Sequence, residues 1–144
     1  MLIQFLFNLI TKGSVIFSGN YSQQFLTVKA VNFSVSGIQF VDFHLNFVSI
    51  FYFSNVNTTM QRNYRVSNIL VKDSVYYYGT LLFADSVTAG SIEIAHIQAS
   101  NVTATRFITS YMDTDLTNIS FANCSFTSAE SVINVAQNYG ESRP

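Results

Sequence analysis

The chain has 144 residues, of which 49% are hydrophobic and only 10% charged, and its formal net charge is −1. That length can bury one real core, the apolar content excludes a disordered chain, and the near-neutral charge excludes the basic footprint of a nucleic-acid binder. Phe, Tyr, Val, Ile and Thr favour strands, Ser and Asn favour turns, and the usual helix formers are scarce.

Taken from the start, residues 1–13, MLIQFLFNLITKG, are apolar but interrupted by Gln4 and Asn8, with no basic residue ahead of the run. Two readings stand for this segment: a signal or anchor, or the first strand of the fold. Membrane association stays open with it. Residues 43–61 carry no charge, but Asn46, Asn55 and Asn57 make them poor material for a spanning helix. Residues 14–138 carry a repeat, and residues 139–144 are a polar tail.

The repeat is an octet. IQFVDFHL begins at Ile38, ILVKDSVY at Ile69, IEIAHIQA at Ile92 and ISFANCSF at Ile119, with spacings of 31, 23 and 27 residues; a weaker copy, VIFSGNYS, begins at Val15. Its fifth column holds Asp42, Asp73, His96 and Asn123, with Gly19 in the weak copy. These are the residue types that best tolerate positive φ. One of them between two alternating runs predicts a sharp corner, after which the chain faces the same core again. Each octet is followed by a second apolar run: VNFSV at Val31, SIFYF at Ser49, LLFAD at Leu81, TRFIT at Thr105 and VINVA at Val132. Each repeat thus predicts three short strands and three turns.

This layout resembles the right-handed parallel β-helix of the pectin-lyase-like family, and the four octets with their Asp/Asn/His column carry the resemblance. It implies an all-β solenoid of about five coils, with like residues stacked in ladders. Ile38, Ile69, Ile92 and Ile119 would form one interior ladder, and Asp42, Asp73, His96 and Asn123 a structural turn ladder. An antiparallel sandwich is the competing fold, but it favours Asn-Gly and Asp-Gly hairpin turns, and neither dipeptide occurs. With no capping helix or strongly polar final repeat in sight, further coils or a capping partner are expected at the ends.

Candidate chemistry is sparse. Six Asn-x-Ser/Thr sequons occur, at Asn20, Asn32, Asn57, Asn101, Asn118 and Asn123. Asn20, Asn57 and Asn101, expected in loops, are the candidate glycosylation sites. Asp113 and Asp115 are the one tight acidic pair and would face the same side of an extended segment. The family resemblance implies catalytic signatures such as Gly-His-Gly, Asp-Asp or Arg-x-Lys, and the sequence has none of them. Arg62, Arg65 and Lys72 suggest a small basic cluster. Tyr76, Tyr77 and Tyr78 put at least one ring outward, where it could stack on a sugar. Cys124 lies in an alternating apolar stretch and reads as a small core residue.

The expectation is a non-catalytic structural or adhesive β-helix segment of a secreted or cell-surface glycoprotein. It would be extracellular, hold no cofactor or metal, and meet carbohydrate or protein on its side face. The alternative is a fragment of a carbohydrate-active lyase-like or hydrolase-like β-helix enzyme, with Asp113 and Asp115 as its acidic site.

Overall fold

The structure, a computed structural model, describes residues 2–3, 7–22, 25–54, 61–85, 90–127 and 131–135. Among these there is no helix, and hence none long and apolar enough to cross a membrane. Twelve strands run in chain order: β1 (Leu2–Ile3), β2 (Phe7–Tyr21), β3 (Leu26–Val28), β4 (Asn32–Asn46), β5 (Ser49–Phe53), β6 (Arg62–Tyr77), β7 (Thr80–Ala84), β8 (Gly90–Ala104), β9 (Ile108–Ser110), β10 (Asp113–Ala122), β11 (Ser125–Phe126) and β12 (Ile133–Val135). The strands separate into two sheets, one of short strands and one of long. The short strands order as β1-β3-β5-β7-β9-β12 and the long ones as β10-β8-β6-β4-β2, with β11 also on β8; every pairing is parallel. This is a parallel β-solenoid of about four turns. The fifth octet copy is present, since Val15 pairs with Ile38. Five long strands enclose only four returns between them, so the expected count of about five coils drops to about four turns.

β4, β6 and β8 are each bent twice, and β10 is bent once with a second corner just past its end. Gly37, Asn68, His96 and Asn118 have φ of 76, 53, 55 and 53°, and Asp42, Asp73, Asn101 and Asn123 have φ of 50, 50, 52 and 52°. The register stacks the first four residues at one edge and the second four at another, because Ser36 pairs Ser67, Ile38 pairs Ile69, Ser67 pairs Ala95, Ile69 pairs Ile97 and Ile97 pairs Ile119. There are therefore two corner columns. All four ladder residues adopt the left-handed conformation, but His96 stands between Asn68 and Asn118, and Asn101 occupies the place beside Asp73.

The physical reason is a five-residue period inside each long strand. Inward-facing residues come in pairs, Phe33/Val35, Ile38/Phe40 and Phe43/Leu45, with a corner between one pair and the next. The octet slid by five residues in the third copy. IQASNVTA, from Ile97, fits the pattern as well as IEIAHIQA does and is the one that the register aligns. The true spacings are 31, 28 and 22 residues. The interior Ile ladder is Ile38, Ile69, Ile97 and Ile119, while Ile92 stacks with Tyr64 and Thr114. VNFSV at Val31 was also misplaced. It opens long strand β4, and the short strand of that turn is β3.

The core is the column of inward pairs closed by the short sheet: Phe51 and Phe53 of β5, Leu82 and Ala84 of β7, and Ile108 of β9 are fully buried. Each such side chain contributes roughly 1.5–3 kcal/mol by leaving water. Ser74 takes an inward slot that Phe43 and Val102 fill in adjacent turns. Its hydroxyl donates to the Lys72 carbonyl at 2.8 Å and accepts the Phe43 amide at 3.1 Å. It thereby satisfies a backbone N–H that the corner takes out of the strand ladder. Cys124 continues the column, half-buried, 3.6 Å from the Ala99 carbonyl.

Candidate ligand-binding face

Corner side chains tie adjacent turns together. Asn101 donates its amide to Asp73 at 2.9 Å, Asn68 donates to the Ser36 hydroxyl at 2.9 Å, and Asn118 approaches His96 Nδ1 at 3.3 Å. Asp42 lies 3.1 Å from His44 Nε2, and Lys72 3.9 Å from Asp73. These groups serve the fold. Asn101, expected in a loop, is instead a strand corner with its amide already engaged. Asn20 is likewise no loop residue but an exposed position of β2. Asn57 lies outside the described residues.

Asp113 and Asp115 both point to solvent from β10, in register with Ser91 and Glu93. Arg65, Glu93 and Asp115 follow one another in register across the face, and Glu93 is engaged by Arg65 at 3.5 Å. Among the described residues no three His, Cys, Asp or Glu side chains converge as metal ligands would. The basic cluster does not form. Arg62 is fully buried and donates to the Ser54 carbonyl at 3.0 Å, Arg65 faces Glu93, and Lys72 faces Asp73. Arg62 points inward because β6 starts there, pairing with Gly90; a Cβ on Gly90, whose φ is 142°, would collide with the Arg62 backbone.

The tyrosine triplet divides. Tyr76 is buried, while Tyr77 and Tyr78 are 65% and 69% exposed. Strict alternation would have sent one of them inward, but Tyr78 has φ of 52°, which turns the chain again. Phe47, one turn earlier, has φ of 63° and is also 69% exposed. Phe47 and Tyr78 each lie five residues beyond the second corner, so they form a third corner column. Their rings stack with centroids 5.1 Å apart and planes 10° off parallel. The Phe47 amide donates to the Tyr77 carbonyl at 2.8 Å and the Tyr78 amide to the Thr105 hydroxyl at 3.1 Å. Gly79 follows without a side chain because a Cβ there would collide with the Val48 carbonyl.

Beyond this corner the short sheet turns a second aromatic row outward. Tyr52 and Phe83 are register partners 5.7 Å apart, and Tyr111 meets Phe83 edge-on at 5.9 Å. Burial, followed by the charge and hydrogen bond of Asp85, raises the Tyr52 phenol above its usual range. Between the rows lies an open groove of about 490 Å³. Its floor carries hydroxyls: Ser49 and Thr80, 2.8 Å apart, together with Thr105 and Thr109, and Arg106 stands beside them. Sequence reasoning reached Tyr78 but not Phe47, Tyr52 or Phe83; the signal for Phe47 was its position five residues after Asp42. The comparisons with protein-family models, curated proteins and solved structures each find no match.

Proposed function

We propose that this chain is a non-catalytic, adhesive β-solenoid segment of a secreted or cell-surface protein, wound right-handed in the pectin-lyase-like manner and meeting carbohydrate or protein through its side face. The observation that carries this reading is the third corner, where two large aromatic rings stand in solvent on a wall whose backbone is held by the stack. Support comes also from the low charge and from the exposed Asn20 sequon, which suits a glycoprotein. Incubated with polygalacturonate, the protein releases no new reducing ends; measured cleavage overturns the proposal. Expressed through a eukaryotic secretory pathway, it gains mass at Asn20 that an N-glycosidase removes.

The alternative, a fragment of a carbohydrate-active enzyme, is favoured by one observation: Asp113 and Asp115 share an exposed face with Glu93. On that reading, the double substitution Asp113→Ala, Asp115→Ala abolishes cleavage of a polyuronate.

A further inference from the structure

We infer that the groove between the Phe47–Tyr78 corner and the Tyr52–Phe83 row binds a neutral, β-linked oligosaccharide lying along the solenoid axis. This rests on the adhesive reading above and gives its ligand.

The starting point is a conformational outlier. At the first two corners every left-handed residue is Gly, Asn, Asp or His. These types tolerate positive φ. At the third corner the residues are Phe and Tyr, for which that backbone is strained. Burial does not explain them, because both rings are mostly exposed. Holding large rings in solvent on a strained backbone twice in succession adds nothing to the core, and it does build one wall of a groove.

The lining suits the two sides of a sugar. A pyranose whose substituents are all equatorial presents C–H faces, which pack on aromatic rings, and a rim of hydroxyls, which pair with Ser49, Thr80, Thr105 and Thr109. Arg106 lines the groove beside them. Two successive turns present equivalent linings, Phe47, Ser49 and Tyr52 on one and Tyr78, Thr80 and Phe83 on the next, at the roughly 4.8 Å spacing of neighbouring strands. This is comparable to the advance of one pyranose in an extended β-linked chain, so two consecutive sugars meet equivalent surfaces. An extended proline-rich peptide advances about 3.1 Å per residue and falls out of step. Charge argues for a neutral chain. Among the described residues lining the groove Arg106 is the one ionisable cation, and a polyanion would call for a row of them.

The test is titration calorimetry with cellohexaose, xylohexaose, hexagalacturonate and a proline-rich decapeptide. The intact protein is expected to bind at least one of the two neutral hexasaccharides and to prefer it to hexagalacturonate. Tyr78→Asn and Phe47→Asn remove the rings while keeping a residue suited to positive φ, and circular dichroism checks that the fold survives. Each is expected to weaken binding by about tenfold or more. Tyr77→Ser, which removes an exposed ring outside the groove, leaves affinity within about twofold. The inference is overturned if neither neutral hexasaccharide binds, if Tyr78→Asn binds as the parent does, or if hexagalacturonate or the peptide binds more tightly. Those results leave the adhesive reading standing, whereas release of reducing ends from any of the saccharides removes it and this inference together.

Discussion

Tyr76 has its phenol fully buried beside Phe43, and its hydroxyl meets no hydrogen-bond partner. Burial pushes its pKa well above the ordinary value. The folded state therefore holds the proton more tightly than the unfolded chain, which releases it near pH 10. Above that pH the unfolded state binds fewer protons, so stability falls as pH rises. Tyr76→Phe keeps the ring and removes both the unpaired hydroxyl and the titration. Urea denaturation at neutral pH is expected to show unchanged stability or a gain of about 1 kcal/mol, and the alkaline unfolding midpoint moves upward. Ser74, one inward slot earlier, gives the opposite result. Its hydroxyl serves both a carbonyl and an amide, so Ser74→Ala leaves the Phe43 N–H buried and costs about 1–3 kcal/mol in the same measurement.

At the level of the strand, the determining unit is the pair of inward residues followed by a corner. Asn101 serves its corner in two ways: it accepts positive φ, and its amide bonds to Asp73 in the adjacent turn. Asn101→Ala loses both and is expected to cost about 1–2 kcal/mol, whereas Asn101→Gly restores the backbone freedom and loses less. Comparing the two urea midpoints separates backbone strain from the hydrogen bond. The same unit explains what the sequence disclosed. Alternating Ile and Phe with an Asp or Asn corner identified the solenoid, and the runs at Ser49, Leu81, Thr105 and Val132 located β5, β7, β9 and β12. The third octet slipped because a pattern with a five-residue period matches itself when moved by five, and only cross-strand register distinguishes His96 from Asn101. Arg62 was misread for a different reason. Its burial depends on where β6 begins and on the missing side chain of Gly90, and neither shows in a local pattern of charge. The aromatic groove was half legible: Tyr78 drew attention within a triplet, while Tyr52 and Phe83 looked like core residues of an apolar run until the sheet turned them outward.

For the molecule as a whole, each long strand hydrogen-bonds only to its neighbours within the long sheet. Among the described residues β6 has a neighbour on both sides, and β10 pairs with β8 alone. The inward residues of the last turn, Leu116, Ile119 and Phe126, are only half-buried, and Phe121 is 37% exposed. Protection should therefore fall along the axis, with amides of β10 exchanging roughly tenfold or more faster than those of β6 in native-state hydrogen exchange. Equal protection in both would show that the last turn is covered in solution.

The five-residue period also bears on how the chain reaches this state. A strand that docks five positions out of phase still sends its apolar residues inward and its bend-tolerant residues to an edge, so the error is penalised mainly by mismatched side-chain sizes and by one lost flank. Such a shifted intermediate would be compact, rich in β-structure and slow to correct, because escape means peeling the strand from its template. Refolding from urea, followed by circular dichroism, is therefore expected to show a slow phase after the β-signal has appeared.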